Sequence, residues 1–577
     1  MSGHGEDQGG LRRRRKSNGS FDAEGWHERL YDQDGLNFWA VLCSFLSILP
    51  FHVSMSTAAS TTVEETNRLL YRRQFLLAPG QIDFPFSSWT ELTVGHHGQT
   101  LYLHPDLGFE QVRVGEREAT VLGYIVDPDR IGATEEELLR GLLNREGTLD
   151  ALLEAVERWS GRWILLLGDG ADTVLFHDAV GARQVHYYQG ANGCWAVTQP
   201  HLLEEVLPLE RDPEATAYRE SRLAYDHHSV REYTWPGDSS EFVGVRRLLP
   251  NHYLNLRLGT VTRFWPRDPI KPAAMEEVAA DLADLLRRLF RAAHARFDLA
   301  VTMTAGRDSR LMLAGSREMA DEVYYHTAAY WGLNDRDPDI WVPRRLLRQL
   351  GLTHHVISCP ETMSPEFRNL YEQNVAGAHP DWGIIAEGLQ ADYPLDRLCV
   401  KGNCVEISRP LGGNRATVDE MNPESSLEEV MQRVYLDPNH PFVQRHMSRW
   451  FEGAAPACRE TGLHPAELVY WEQRMGSWQA MSQAEWDLVQ DVFMPFNCRY
   501  MHAQLYRLPM AERSEPEARV HTRILELLWP EVLRAPINPV SLSKRVREFV
   551  SHRVRSRLRN TWVGEGVRCF RDWRREG

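Results

Sequence analysis

The sequence predicts an α/β chain, with a layered first domain of strands and helices followed by a doubly wound parallel sheet. Three observations predict it. Short strand-like runs, broken by turn signals and helical patterns, fill residues 66–265. From residue 299 onward, strand, loop and helix repeat at the close spacing of a parallel sheet. The 577 residues, 43% hydrophobic and 25% charged, are enough for two or more domains, each with its own core.

Residues 1–65 read as a leader. The first 35 residues are Gly-rich, polar and charged, with the run Arg12-Arg-Arg-Arg-Lys16, and are expected to be disordered. An apolar run, Phe38–Phe51, comes next, then Ser56-Thr-Ala-Ala-Ser60, in superficial imitation of a secretory signal. The basic run lies about twenty residues upstream, with Asp22, Glu24, Glu28, Asp32 and Asp34 between, and the apolar run is short for a bilayer. We favour a natural start at Met55 over a membrane or export element.

In the first domain the spacing predicts strands at Thr100–Leu103, Ala119–Ile125, Arg162–Leu167, Thr173–His177 and Gln184–Tyr188. Helices are predicted at Glu135–Leu143 and Leu149–Val156.

The second domain, 266–577, opens on an amphipathic helix, Met275–His294, with Val278, Leu282, Leu285, Leu286, Leu289 and Phe290 on one face. An apolar strand (Leu299, Ala300, Val301, Met303) then meets Thr304-Ala-Gly306 and Arg307-Asp-Ser-Arg310. Small residues let backbone approach a ligand, and the free N–H groups of a helix start attract anions. Ser309 adds a hydroxyl and Asp308 can hold a divalent cation bridging phosphates. On mechanism this is a phosphate-binding loop; an ordinary strand–turn–helix crossover is the alternative. A strand at Glu322–Thr327, a helix Trp341–Leu350 after the acidic stretch Asn334–Asp339, and the segment Gly351–Ile357, which caps that helix and opens a third strand, continue the pattern. The pair His354/His355 reads more simply as a polar surface pair than as a chemical one. Leu398–Ile407 reads as a further strand running into a small-residue turn with one carboxylate, Glu406.

These segments resemble the asparagine synthetase family of ATP-pyrophosphatase enzymes. Thr304–Ser309 is similar to that family's Ser-Gly-Gly-x-Asp-Ser loop, with Thr304 in place of Ser and Ala305 in place of the first Gly. Lys401–Glu406 is similar to its Ser-Gly-x-Gly-x-Asp-Glu turn, with Gly402 on a Gly of that turn and Glu406 on the acid that binds metal. The stretch Trp478-Gln479, Glu485, Asp487 and Met494-Pro-Phe-Asn497 resembles the helical half of the synthetase domain. Gly161-Arg-Trp163, Phe176–Tyr188, Trp195–Thr198, Phe242–His252 and Arg263–Pro266 resemble, in order, phrases of the family's glutaminase-type domain.

The resemblance implies an Ntn-hydrolase-like first domain and an ATP-pyrophosphatase domain with a helical C-terminal part. It implies ATP binding by Thr304, Ala305, Gly306, Arg307, Asp308, Ser309, Thr327 and Gly402, and Mg²⁺ between Asp308 and Glu406. Lys544, with Arg545 beside it, is the implied cation for the leaving pyrophosphate. The reaction implied joins a carboxylate, activated as the acyl-adenylate, to ammonia or an amine; aspartate and larger carboxylates both remain open as substrate.

A working glutaminase of this type needs a cysteine directly after the initiator Met, its own α-amino group acting as base. Ser2 follows Met1 and Ser56 follows Met55, while Cys43 lies inside an apolar run. Glutamine hydrolysis is therefore not expected, and a structural or docking role is left for the domain. A nucleotide-binding chain without turnover, or another adenylating enzyme such as a tRNA-modifying pyrophosphatase, are the competing readings. The net charge of −15 speaks against a nucleic-acid partner. Eight scattered cysteines with no Cys-x-x-Cys pair indicate neither a zinc site nor a disulfide framework, and a reducing cytoplasm is the default. The basic tail from Lys544 has Val546, Phe549, Val550, Val554 and Leu558 on one helix face. That face would meet an anionic partner or membrane surface, or simply pack.

Overall fold

The computed structural model describes residues 68–224, 232–409, 424–433 and 436–539. All belong to one compact unit, Thr62–Gly577. The expectations for the leader, Cys43, Lys544, Arg545 and the basic tail lie outside the described residues.

Twelve strands build the first part as two antiparallel sheets. They are β1 (Phe75–Ala78), β2 (Thr90–Val94), β3 (Gln99–Leu103), β4 (Phe109–Val114), β5 (Arg117–Val126), β6 (Ser160–Gly168), β7 (Thr173–His177), β8 (His186–Gly190), β9 (Gly193–Val197), β10 (Val245–Arg247), β11 (His252–Asn255) and β12 (Thr260–Arg263). One sheet runs β10-β8-β9-β1-β3-β2, the other β12-β11-β7-β6-β5-β4. Alternation sends Phe75, Leu77, Leu101 and Leu103 from the first sheet against Leu122, Ile164, Leu166 and Leu175 from the second. The outer face of the first sheet packs Leu76 and Val197 on Leu202 and Leu203. The outer face of the second packs Val121 and Leu165 on Leu138 and Leu139 of α1 (Glu135–Leu143). Thr134 and Glu137 close a capping box at the start of α1, where the sequence places the helix. Helix, sheet, sheet, helix is thus the layering of this first part.

The β5–β6 ladder pairs Glu118 with Gly168 through to Val126 with Ser160. Within it Gly123 and Gly161 take φ of +99° and +108°, where a Cβ would stand 2.1 Å from the Arg162 carbonyl oxygen and 2.4 Å from that of Tyr124. Only glycine allows so close an approach.

A second part begins with α2 (Met275–His294), whose apolar stripe is buried as its spacing predicts. Its strands are β13 (Leu299–Thr302), β14 (Tyr324–Ala329), β15 (His355–Ser358), β16 (Leu398–Val400) and β17 (Val492–Phe493). All pair in parallel, in the order β15-β14-β13-β16-β17. The chain thus starts mid-sheet at β13, winds outward to β15, and crosses back to β16. The winding direction reverses between β13 and β16, the crevice in which such sheets bind ligands. Helices α3 (Arg307–Gly315) and α4 (Pro338–Gln349) come after β13 and β14.

The fold is therefore α/β, an antiparallel two-sheet sandwich followed by a five-strand parallel sheet with helices. The two parts share one core, since Val121 and Leu165 of the sandwich, Leu286 of α2 and Val301 of β13 fall in a single buried cluster. Among the described residues no helix is long and apolar enough to cross a membrane.

Candidate functional site

Because β13 and β16 are neighbours, with Val301 level with Val400, the turns at their carboxyl ends abut. The first is the loop Thr304–Gly306. The Ser309 hydroxyl donates to the Thr304 carbonyl oxygen at 3.1 Å and lies 3.2 Å from the Thr304 amide. The Gly306 amide donates to Thr304 Oγ1 at 3.2 Å, so a threonine in place of serine serves the loop's internal bonding. Ala305 is buried and outside the left-handed region, so its methyl group meets no backbone obstacle. Its amide donates to Asp339 Oδ1 at 2.8 Å, so a carboxylate already sits on the loop as an anion would.

The second turn is Lys401–Glu406. A Cβ on Gly402 would stand 2.7 Å from the carbonyl carbon of Asp308 and 2.9 Å from its Cβ, so glycine alone lets the turns touch. Cys404, in the same turn, takes the left-handed conformation at φ +76°. Burial, and after it the nearby Asp308 carboxylate, push Glu406 up to about 7. Burial also raises Asp308, against the opposing pull of Arg409. Asp308 Oδ2 accepts from Arg409 at 2.6 Å, while its buried Oδ1 has no hydrogen-bond partner among the described residues. Arg409 reaches on to Glu515 at 2.9 Å, and Glu515 also pairs with Arg307.

Two neighbouring carboxylates, both raised and one with an open buried oxygen, form a donor set that suits a hard divalent cation. No group of three or more His, Cys, Asp or Glu converges on a metal position among the described residues. A cation there would complete its shell from water and substrate oxygens, as Mg²⁺ ordinarily does.

Thr327, at the carboxyl end of β14, donates to the Met303 carbonyl at 2.7 Å and lies 2.8 Å from His354 Nε2. Burial lowers His354 to about 4, so the ring is neutral and braces Thr327. His355 instead stacks on Tyr324 with ring centroids 4.1 Å apart.

Beside the loop, at the carboxyl ends of β13, β14 and β16, lies a cavity of about 280 Å³. Thr304, Thr327, Asp339, Lys401 and Asn403 line it together with residues of the helical region, Trp382, Trp478, Gln479, Gln483, Trp486 and Gln490 among them. Trp478 and Gln479 come from a π-helical segment, Tyr470–Gln479, a geometry that recurs at functional sites. The Lys401 ammonium sits 3.8 Å from the centroid of the Trp486 ring, and burial lowers it to about 8. His326 Nδ1, Trp478 Nε1, Gln483 Oε1 and both amide atoms of Gln490 are buried without a partner among the described residues. Such groups are costly to leave unpaired in an interior.

Sequence reasoning named Thr304–Ser309, Thr327, Gly402 and Glu406, and these residues lie along the neighbouring carboxyl ends of β13, β14 and β16. It missed Asp339, Lys401 and Arg409. Asp339, in the first turn of α4, ends the acidic stretch Asn334–Asp339, the one signal that could have found it. Lys401 and Arg409 carry no local signal.

The described cysteines make no disulfide. Burial pushes Cys194, Cys458 and Cys498 up to about 12 and Cys359 to about 11, and raises Cys399 and Cys404 as well. None offers a thiolate at neutral pH.

No protein-family model matches the chain, and no curated protein matches it. Among solved structures it is similar to the glutamine phosphoribosylpyrophosphate (PRPP) amidotransferase from B. subtilis complexed with ADP and GMP. The identity is 10%, covering 69% of this chain and 92% of that chain, with a TM-score of 0.21.

Proposed function

We propose that the chain is an ATP-dependent, amide-forming synthetase of the asparagine synthetase type. The observation that carries the reading is the contact of two turns at the switch point. It brings the Asp308 and Glu406 carboxylates close enough for Asp308 to raise Glu406, at the start of α3 and beside a cavity with unsatisfied polar groups. The resemblance of both turns to that family's motifs supports the same reading.

In this proposal the first turn of α3 and the loop amides receive the phosphates of ATP, with Asp339 giving way to them. Asp308 and Glu406 would hold Mg²⁺, which when bound would neutralise phosphate charge. A carboxylate oxygen of the substrate attacks the α-phosphorus; the bond to the β-phosphate breaks and pyrophosphate leaves. Ammonia or an amine then displaces AMP from the acyl-adenylate, and the buried walls of the cavity keep water away. Lys544 and Arg545 are proposed to steady the departing pyrophosphate. Nitrogen is proposed to come from free ammonia, or from an amine on the substrate or a second molecule.

One contact favours a second reading, a nucleotide-binding chain without turnover: Arg409 occupies the Asp308 oxygen that a cation would share. Pyrophosphate release from ATP, measured with a panel of carboxylates and amines, separates the two. Release that requires a carboxylate supports the synthetase. ATP binding with no release for any acceptor supports the second reading.

A further inference from the structure

Lys401 stands directly after β16, its amide bonded to the Phe493 carbonyl oxygen at 2.9 Å and its side chain lining the cavity beside the loop. It is 8% exposed, and its ammonium rests 3.8 Å from the centroid of the Trp486 ring, which lines the same cavity. The ammonium has no hydrogen-bond or ion-pair partner among the described residues. The carboxylates that act on it through space are already engaged: Glu485 pairs with His379 at 2.9 Å, and Asp487 accepts from Arg162 at 2.8 Å. Burial lowers Lys401 to about 8, so it still carries its charge at neutral pH. A buried ammonium without a counter-charge is costly, and an anion in the cavity offsets that cost.

The rest of the lining decides what carries the anion. Trp382, Trp478 and Trp486 line the cavity together with Ile385 and Leu389, an apolar and largely aromatic set. Lys401 is the one cation among the described lining residues, since burial holds His326 neutral at about 3. Asp339, the one lining carboxylate among them, is engaged by the Ala305 amide at 2.8 Å. Aspartate, with two carboxylates and an ammonium, would leave charges unpaired here; a single carboxylate on a planar apolar body would not. At about 280 Å³ the cavity has room for one such body, near the lower end of small-molecule sites.

We propose that this cavity takes an aromatic monocarboxylate, the acyl substrate of the reaction proposed above. Lys401 holds the carboxylate near Thr304 of the loop, which lines the same cavity, and the tryptophan rings flank the body. That the bound carboxylate is the one activated rests on the synthetase proposal; that it binds does not.

The test is calorimetric titration of the full chain with 2-naphthoate, its neutral isostere 2-naphthamide, and aspartate. Naphthoate is expected to bind saturably, at least about tenfold tighter than the amide or aspartate. Lys401→Met is expected to bring naphthoate down to the level of the amide, and Lys401→Arg to keep the preference for the acid. No binding of naphthoate, or a preference that Lys401→Met leaves untouched, overturns the proposal. So does displacement of naphthoate by α,β-methylene-ATP with Mg²⁺, which would give the cavity to the nucleotide. Pyrophosphate release is measured in parallel. Binding that depends on Lys401, with no pyrophosphate released from ATP by any carboxylate, upholds the site and counts against the synthetase reading.

Discussion

Glu406 carries its charge under strain. Its pKa in the folded chain is about 7 against an ordinary 4.5, so the folded state holds the proton more tightly than the unfolded state does. Stability through this group therefore falls as pH rises from about 4.5 to about 7 and is level on either side. Glu406→Gln is expected to flatten the dependence of the thermal midpoint on pH in that window and to raise the midpoint above it. An unchanged slope would show that the carboxylate is not held in this environment. Gly402 acts by absence. Gly402→Ala places a methyl 2.7 Å from the Asp308 backbone, so pyrophosphate release is expected to drop at least tenfold while circular dichroism stays native. Both residues were legible because each obeys a local rule, a small residue for close approach and an acid after a strand end. Lys401 and Arg409 were not, because nothing near them in sequence gives the Trp486 ring or the Asp308 carboxylate that defines them.

Among the elements, α3 is held from outside itself. Arg310 is fully buried and its guanidinium donates to the carbonyls of Ala535 at 2.6 Å and Val532 at 3.3 Å, tying the segment Pro530–Arg534 and its neighbour Ala535 to the loop. Arg310→Met removes those bonds and leaves the carbonyls unpaired, so a loss of about 3 kcal/mol in denaturant unfolding is expected. A loss within about 0.5 kcal/mol would mean the segment is anchored elsewhere. Strong periodicity made α2 legible to the residue, and the capped, amphipathic Glu135–Leu143 likewise. The short strands β10, β12 and β17 escaped because two to four residues carry no period. Their place comes from pairing with distant partners, as Val400 fixes Phe493 in β17.

At the scale of the molecule, the sandwich and the parallel sheet are joined by charge as well as by apolar packing. Arg162 of β6, buried, donates to Asp487 Oδ2 at 2.8 Å and to Asp491 at 3.2 Å, just ahead of β17. Tyr124 of β5 donates to the Val492 carbonyl at 2.7 Å, and Asn497 donates to that of Gly161 at 2.9 Å. Asp487→Ala removes the two-point partner of a buried guanidinium, leaving it Asp491 alone, and is expected to cost about 3 kcal/mol. Because the two parts share one core, wild type should unfold in a single calorimetric transition; two well-separated transitions would contradict the shared core. The sequence named Asp487 and Asn497 through resemblance alone. Their work as struts between the parts depends on a surface that exists only once both have folded.

The central claim is that the Asp308 loop activates a carboxylate with ATP. Magnesium-dependent pyrophosphate release, compared between wild type and Asp308→Ala across a panel of carboxylates and amines, tests it most directly. The account predicts carboxylate-dependent release by wild type and its loss in Asp308→Ala, with the thermal midpoint of the variant within a few degrees. Full release by Asp308→Ala, or release by wild type that needs no carboxylate, would contradict it.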